Sequence, residues 1–385
     1  MPVARQFLFY LRETAIAPEA ATVAHEEGFL DYKLKRYCER HGGLPDDVSA
    51  WRWGHTHGIH MVLRLVQGQW PPVSEPATRQ EAFHRELCDA YAKWLTEVRG
   101  LAPTTISNRR AEAKRFLESL GKRGHSSSLS GTTVADLDHY INCRAPQLRR
   151  VTRQRLVVCL RGFLRYLYGQ TIIKRDLACT LVGSRRYAFE GIPPVLRAEH
   201  IDALLRATRK DRTPKGLRDY AILLLLSTYG LRAGEVTALQ FNDIDWRKDQ
   251  LHIRHSKTGS ESFLPLLAPV GEAIVRYLQM GRPATDVGVV FLRSRAPFQP
   301  LQSGSSLYHL VDHRLQRAGI VLERKHGPHA FRHARAVSLL AAGVQMKSIG
   351  DVLGHRSTAA TAVYLKLATS ELRAVGLEIP VEVSQ

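Results

Sequence analysis

The sequence predicts a mainly α-helical protein with a small antiparallel β-sheet in its C-terminal half, which makes that half an α+β domain. Apolar residues recur at helical spacing through most of the 385 residues. One stretch, FNDIDWRKDQLHIRHSKTGSESFLPLL, instead alternates apolar and polar residues across three short segments separated by turn residues. The length exceeds that of a usual single domain, so we expect two or three domains.

The net charge is strongly positive and unevenly distributed. The chain carries 55 Lys and Arg against 36 Asp and Glu, which gives +19. Residues 1–80 hold nine of each sign, whereas residues 81–190 hold twenty basic and ten acidic residues. A charge of this size favours a polyanion such as nucleic acid, with a basic solubility surface as the alternative. We expect the polyanion to meet residues 81–385.

Several protein classes are disfavoured by the apolar runs and the cysteines. The longest wholly apolar run, such as AILLLL from Ala221 to Leu226, is far shorter than the roughly 20 residues that span a bilayer. The N-terminus lacks the apolar core and cleavage site of a signal peptide. Five scattered cysteines form no CxxC pair. We therefore expect a cytoplasmic, nucleoid-associated protein with no membrane partner.

Residues 1–78 are predicted to form a mostly helical extension, with one helix from Ala21 to His41. His55, His57 and His60 follow, but no acidic or thiol ligand accompanies them at a useful spacing. We interpret them as solvated histidines at a helix entry rather than as a metal site. The Pro-rich WPPVSEPATR that ends this region is expected to be a linker.

Residues 79–182 are predicted to be a basic module of four helices. The first has apolar residues at helical spacing, the second starts near Pro103 and stops at Gly121, the third covers TTVADLDHYIN, and the fourth runs from about Pro146 to Tyr168. Basic residues along exposed faces suit phosphate contacts to a duplex, the alternative being an ordinary solvated surface. The candidate DNA-binding residues are Arg109, Arg110, Lys114, Arg149, Arg150 and Arg153.

Residues 183–196 are expected to link this module to a second folded region, residues 197–370. There an amphipathic helix precedes GLRDYAILLLLSTYG, a helix that is apolar nearly all round and is therefore expected at a domain centre. Gly230 ends that helix, which places Arg232 near the N-terminus of the next one, where anions are favoured. Lys257 lies at the tip of the second predicted turn of the sheet.

The stretch GPHAFRHARAVSLLAAGVQMKSIGDVLGHRSTAATAVYLK carries the remaining candidates. Pro328 suits a helix start, so His329 and Arg332 share one helix face. His355 follows Gly354, and Tyr364 lies on a last predicted helix. Guanidinium forks suit a phosphate, a phenol is a nucleophile once assisted, and an ammonium can protonate a leaving oxygen. Two Arg, two His, a Lys and a Tyr would thus suit metal-free phosphodiester cleavage.

In this order and spacing, these residues resemble the tyrosine recombinase (phage integrase) family. LRAGE, HSKTG, HAFRH, LGH and a Tyr nine residues after that His are its motifs, and the resemblance covers about residues 195–370. It implies that the catalytic residues are Arg232, Lys257, His329, Arg332, His355 and the nucleophile Tyr364. Arg232, Arg332 and His355 would hold the scissile phosphate, His329 would assist proton transfer, and Lys257 would be the general acid. The product would be a 3′-phosphotyrosyl link, formed without a metal or another cofactor.

The resemblance also implies an architecture and partners. The basic module resembles the family's SAM-like core-site DNA-binding domain. Residues 371–385 resemble tails that dock on a neighbouring protomer, the alternatives being docking on their own protomer or disorder. The implied partners are double-stranded DNA with inverted core sites, further copies of the chain (a dimer on a site, a tetramer in the synapse) and accessory recombinases. We interpret His333 as structural and Glu235 as a partner that orients a basic side chain.

The extension of residues 1–78 departs from the family's two-domain layout. Because it is electrically neutral, we expect protein–protein contacts or packing on the next module rather than arm-site DNA binding. The extension favours integration or transposition of a mobile element. The alternatives are chromosome or plasmid resolution by the same chemistry, a topoisomerase-like relaxing enzyme, and a DNA-binding regulator that has the fold without catalysis.

Overall fold

The structure is a computed structural model that describes residues 2–72, 75–183, 195–255, 257, 259–301, 305–322, 326–354, 361 and 364. The chain divides into two compact units, Met1–Arg185 and Arg186–Gln385. The first is helical and the second combines helices with one small sheet, so the predicted fold class is confirmed. The predicted linker of residues 183–196 and the predicted tail of residues 371–385 lie almost wholly outside the described residues.

The first unit begins with three helices that share a small apolar core. They are α1 (Pro2–Glu13), α2 (Val23–His41) and α3 (Val48–Gln67). Phe7, Phe29, Ile59 and Leu63 are fully or almost fully buried in this core. The predicted helix of residues 21–41 matches α2, which ends where Gly42 adopts a positive φ of 73°. The N-terminal extension is therefore a helical bundle, as predicted.

The histidines of this bundle correct one interpretation. All three lie within α3, and only His57 is exposed. His60 Nε2 lies 2.8 Å from a carboxylate oxygen of Glu26, whose other oxygen accepts a hydrogen bond from Trp70. The His55 ring stacks on Trp51 at 4.0 Å. The solvated interpretation is wrong for His55 and His60. His55 packs on Trp51 one turn earlier in α3, and His60 pairs with Glu26 of α2, a tertiary contact that the spacing does not show.

Four further helices complete the first unit around a second apolar core. They are α4 (Arg79–Glu97), α5 (Pro103–Ser119), α6 (Val134–Arg144) and α7 (Arg150–Gly169). Tyr91, Phe116, Leu160 and Phe163 lie at the centre of this core. The fourth helix was predicted to start near Pro146, but Ala145–Gln147 form a short 3-10 turn and Arg149 is extended. The other three predicted helices are confirmed.

The second unit contains seven described helices and a three-stranded sheet. The helices are α8 (Ala198–Arg209), α9 (Pro214–Tyr229), α10 (Ala233–Thr237), α11 (Ala268–Met280), α12 (Ser305–Arg317), α13 (Pro328–Ala341) and α14 (Met346–Leu353). The strands β1 (Ile244–Asp245), β2 (Gln250–His255) and β3 (Ser260–Pro265) are antiparallel in the order β1-β2-β3. Leu251 pairs with both Ile244 and Leu264. Both predicted turns separate these strands.

Helix α9 is the centre of the second unit, as its all-round apolar pattern predicts. Residues 221–226 are at most 8% exposed, and α8, α11 and α13 pack around this helix. Gly230 ends it with a positive φ of 67°, where a Cβ would lie 2.9 Å from the Leu353 side chain. A glycine therefore lets the chain turn beside α13 and α14 and brings Arg232 to the start of α10.

Among the described residues, no helix is long and apolar enough to cross a membrane. The predicted last helix falls outside the described residues except for Thr361 and Tyr364, and so does His355.

Candidate active site

Arg232 is fixed where the central helix gives way to α10. Its backbone N–H donates to Glu235 Oε2 at 2.7 Å, and its guanidinium Nη1 donates to Glu235 Oε1 at 2.7 Å. Nη2 donates to the carbonyl of Gly354 at 3.1 Å, which ties α10 to the end of α14. The side chain keeps 17% of its surface exposed. One edge of the guanidinium therefore remains open to a ligand.

Arg332 lies deeper, on the second turn of α13. It is 3% exposed, and Nη1 donates to the carbonyl of Gly230 at 3.0 Å. Nη2 donates to the carbonyl of Leu353. Burial lowers the pKa of this guanidinium from its usual value, and the nearby charge of Arg232 lowers it further. Two cations thus lie near each other in a site that is largely shielded from solvent, and an anion bound between them would stabilise this arrangement.

Glu235 and His255 hold Arg232 in place. His255, at the end of β2, is 1% exposed, and its Nδ1 lies 2.7 Å from Glu235 Oε1 while Nε2 lies 2.9 Å from the Ser262 hydroxyl. Burial would raise the pKa of the Glu235 carboxyl, but hydrogen bonds from His255 and Arg232 outweigh it and lower the pKa. Glu235 therefore stays ionised and orients Arg232, as predicted. His255 was not predicted as a site residue, although its place in the apolar and polar alternation of β2 indicated that its side chain is buried.

The close approach of Gly354 to His255 explains a glycine in the LGH motif. Gly354 has a φ of 60°, and a Cβ there would lie 2.5 Å from the His255 ring. No side chain fits this space, and the left-handed conformation suits glycine. The end of α14 can therefore reach both arginines through the carbonyls of Leu353 and Gly354.

His329 and Lys257 extend the positive field. His329 lies one turn before Arg332, on the first turn of α13. Surrounding protein atoms lower the pKa of its imidazole, and the charges of Arg332, Lys257 and Arg232 lower it further. The ring is nevertheless accessible to solvent. Lys257 is exposed in the turn between β2 and β3. His329 is therefore a neutral imidazole near pH 7, which leaves one ring nitrogen able to accept a proton.

Tyr364 reaches the same site from the end of the described chain. It is 4% exposed and packs with Ala336, Ile349 and Leu353. Burial raises the pKa of its hydroxyl, while the charge of Arg332 and a hydrogen bond with that guanidinium oppose the rise. The phenol is thus protonated at neutral pH and adjacent to a cation that would stabilise its anion.

His333 is a neighbour for which no catalytic role was predicted. Its ring centroid lies 5.5 Å from that of Tyr364 and 6.4 Å from that of His329. Burial, then the charges of His329 and Arg332, lower the pKa of His333 to about 4. Its Nδ1 is buried without a hydrogen-bond partner among the described residues. His333 is therefore a neutral ring packed against the phenol, which fits the structural interpretation.

The predicted DNA-binding residues have different surroundings. Arg110 pairs with Asp89 at 2.5 Å, and Lys114 with Glu118 at 3.6 Å, both at the surface. Arg109 is half-buried, and a Cβ on Gly162 would lie 2.9 Å from its Nη1, so this guanidinium belongs to the packing of α5 on α7. Arg149, Arg150 and Arg153 are exposed at the start of α7. A DNA-binding role for the six residues stays a prediction.

Two fixed guanidiniums, a neutral imidazole, an exposed lysine and a protonated phenol can together bind one phosphodiester and transfer its phosphoryl group. The cations would stabilise the charge that grows on the equatorial oxygens. Among the described residues, no group of three or more His, Cys, Asp or Glu is placed to hold a metal ion.

Comparison with known sequences agrees with this geometry. The family described as the phage integrase family matches residues 194–371. A putative integrase/recombinase, y4gC, of Sinorhizobium fredii is 53% identical over 189 residues, which are 49% of this chain and 97% of the relative. A second from the same organism, y4rA, is 35% identical over 88% of this chain and 82% of the relative.

Known structures share the fold. The XerH site-specific recombinase bound to a palindromic difH substrate superposes with a TM-score of 0.60 at 17% identity, covering 78% of this chain and 90% of that one. A lambda integrase tetramer bound to a Holliday junction gives a TM-score of 0.57 at 18% identity, covering 84% and 87%.

Proposed function

Because the chain belongs to the phage integrase family and is a tyrosine site-specific recombinase, we propose that Arg232 and Arg332 hold the scissile phosphate of a DNA strand while Tyr364 attacks it. One observation carries this assignment. Arg332 contacts the Tyr364 hydroxyl and lies beside Arg232, and both guanidiniums are fixed by main-chain carbonyls. The phosphate is thereby brought to the nucleophile by the group that binds it.

The proposed reaction exchanges one phosphoester for another. The Tyr364 oxygen forms a bond to phosphorus as the bond to the 5′ oxygen breaks, which leaves a 3′-phosphotyrosyl strand and a 5′-hydroxyl. A second 5′-hydroxyl then attacks that phosphorus, and the tyrosine leaves. Because each step makes one phosphoester bond for the one it breaks, the exchange needs no nucleotide hydrolysis.

Two residues would move the protons. His329, kept neutral by the surrounding protein atoms and by its cationic neighbours, would take the proton of the Tyr364 hydroxyl. Lys257, exposed in the β2–β3 turn, would protonate the departing 5′ oxygen. His355 follows Gly354, whose carbonyl contacts Arg232, and we propose that it hydrogen-bonds the phosphate.

The proposed domains assign DNA to both units. Residues 79–182 would be the core-site DNA-binding domain, residues 197–370 the catalytic domain, residues 183–196 their linker, and residues 371–385 a tail docked on a neighbouring protomer. Double-stranded DNA with inverted core sites would bind a dimer, and two such dimers would form the synaptic tetramer. The DNA-bound lambda integrase tetramer, which has the same fold, supports this assembly.

We propose that the biological role is integration or transposition of a mobile element. The two putative integrase/recombinases of Sinorhizobium fredii support that role. The XerH recombinase bound to difH shares the fold equally, so resolution of chromosomes or plasmids by the same chemistry is the second candidate.

Short nicked duplexes covering the DNA on either side of the gene would test the chemistry. We expect an SDS-resistant protein–DNA adduct with at least one duplex, and none with Tyr364→Phe. An adduct that persists in this variant would remove Tyr364 from the reaction. Retained binding with no adduct from the unaltered chain would identify a regulator instead.

The general acid has its own test. Lys257→Ala should slow cleavage of the normal duplex, and a bridging sulfur at the 5′ position should restore it, because a thiolate leaves without a proton. Failure of the sulfur to restore cleavage would rule out this role for Lys257.

A further inference from the structure

The N-terminal bundle contains a cleft of about 1000 Å³ that the proposed recombination chemistry does not use. It lies between α1, α2 and the start of α3, and all its lining residues belong to residues 5–55. We call it the N-terminal cleft. Most of its lining residues carry either a positive charge or an aromatic ring.

Basic residues outnumber acidic residues on the lining of this cleft. Residues 1–80 carry nine basic and nine acidic residues, so their sum is zero. The cleft is lined by four of these basic residues, Arg5, Lys33, Arg36 and Arg40. Among the described residues, its lining contains a single acidic residue, Glu13. The three on α2 follow helical spacing and share one face. Although the net charge of residues 1–80 is zero, the surface of this cleft is therefore positively charged.

These cations lack carboxylate partners among the described residues. Lys33 Nζ donates to the Gln6 side chain at 2.8 Å, and Arg36 Nη1 donates to the Tyr32 hydroxyl at 3.0 Å. Burial and the charges of Arg36 and Arg40 lower the pKa of Lys33, so the cations repel one another. A bound anion would relieve that repulsion.

Aromatic rings line the same cleft. Phe9 and Tyr32 are 59% and 46% exposed, high values for side chains of this size. Tyr37 and Trp51 are half-buried deeper in the cleft, with their ring centroids 6.0 Å apart. Arg36 lies over the Tyr32 ring at 5.7 Å from its centroid. Tyr32 also stacks on Tyr10 with the ring centroids 6.1 Å apart, so a small aromatic stack already exists there. Exposed rings and cations thus lie on one surface.

We propose that the N-terminal cleft binds an unpaired nucleic-acid strand, with its bases stacked on the aromatic rings and its phosphates on the four cations. A positively charged groove with stacking rings is the arrangement that binds single strands without sequence preference. A duplex keeps its bases stacked inside, so it would use the cations and leave the rings unused. An acidic peptide would likewise offer carboxylates but no planar bases to Tyr32 and Phe9.

The proposal goes beyond the catalytic function and is tested apart from it, on the full chain. A thymine-only oligonucleotide of about 15 nucleotides, containing 4-thiothymine, would be irradiated with the protein and the cross-linked peptides identified by mass spectrometry. Cross-links are expected within residues 5–55. Their position separates this cleft from the basic surfaces elsewhere in the chain. Cross-links confined to residues 79–385 would overturn the proposal.

Charge-matched variants would test the cations. Lys33→Gln with Arg40→Gln removes two charges from the cleft, and Lys35→Gln with Arg12→Gln removes two exposed charges that do not line it. The first pair should reduce the cross-links within residues 5–55 several-fold. It should also make the salt dependence of that cross-linking shallower by roughly 1.4 in the log–log slope, at about 0.7 per phosphate contact. An equal effect of the second pair would contradict a localised site.

Tyr32 provides the test of stacking. Tyr32→Phe keeps the ring, whereas Tyr32→Leu removes it at an exposed position where folding is little affected. Cross-linking within residues 5–55 should need about tenfold more oligonucleotide in the leucine variant and be unchanged in the phenylalanine variant. If the leucine variant has no effect, or if a matched duplex or polyglutamate competes as well as the unlabelled strand, the cleft binds charge alone and the proposal is wrong.

Discussion

Arg232 and Arg332 in the second unit and Arg149 and Arg153 in the first carry the same guanidinium in opposite surroundings. The first pair is largely buried, and each member donates to main-chain carbonyls or to Glu235. The second pair is exposed at the start of α7, where Arg153 makes one hydrogen bond through Nε to the Leu148 carbonyl.

The difference separates two tasks of a cation at a phosphate. A fixed guanidinium has already lost its conformational freedom in folding, so it can favour the geometry of a transition state. An exposed guanidinium contributes charge that counterions screen, which adds affinity with little geometric demand. Substitutions in the two pairs should therefore differ in kind as well as in size.

The largest effect is expected at Arg332. Arg332→Ala should lower the rate of adduct formation several hundredfold or more, by about 3–4 kcal/mol in the barrier, because a donor to the developing charge is lost. It should also lower the melting temperature, since the carbonyls of Gly230 and Leu353 lose their donor. Arg317→Ala, on an exposed ion pair of α12, is the control for loss of charge. A comparable loss of rate in the control would contradict a specific role for Arg332.

Glu235→Gln tests the support beneath Arg232. The amide keeps the shape but loses the charge that holds Arg232 and His255. We expect adduct formation to fall roughly ten- to hundredfold at saturating DNA, with the affinity for DNA nearly unchanged, because Glu235 positions a residue and does not contact the phosphate. A rise in KM with an unchanged kcat would show instead that Glu235 acts on binding.

Much of this architecture was predictable from the sequence because local patterns determine it. The all-round apolar pattern of α9, the alternating strands and the order of the motif residues correctly predicted the centre, the sheet and the family. What could not be predicted depends on tertiary contacts. Three features join residues that are far apart in sequence: His255 with Glu235, Glu26 with His60, and the cations that line the N-terminal cleft. A net charge of zero does not tell which face of a domain is positively charged.

His333, which packs against Tyr364, predicts a smaller effect, on stability. The pKa of His333 is lowered to about 4 in the folded chain, against roughly 6.5 when unfolded, so the unfolded state binds more protons between these values. The free energy of unfolding of the second unit should therefore fall as the pH is lowered from about 7 to about 4. After allowance for solvent screening, His333 should account for roughly 1–2 kcal/mol. Denaturant titrations at several pH values should show a weaker dependence in His333→Asn, and an unchanged dependence would exclude this histidine as its source.

The smallest effect on the cleavage rate is expected at the exposed pair. Arg149→Gln with Arg153→Gln should weaken binding of the full chain to duplex DNA roughly ten- to fiftyfold near 0.1 M salt, and should make the log–log salt slope shallower by about 1.8 if each residue contacts one phosphate. The rate of adduct formation at saturating DNA should stay unchanged, because these residues would contact the phosphates of the DNA backbone and not the reacting atoms. Arg109→Gln is the informative companion, since this half-buried guanidinium lies against Gly162 and its loss should lower the melting temperature more than the affinity. If instead cleavage by the Arg149 and Arg153 variant became slower at saturating DNA, an exposed cation would be positioning the scissile phosphate. The distinction between fixed and exposed arginines would then be wrong.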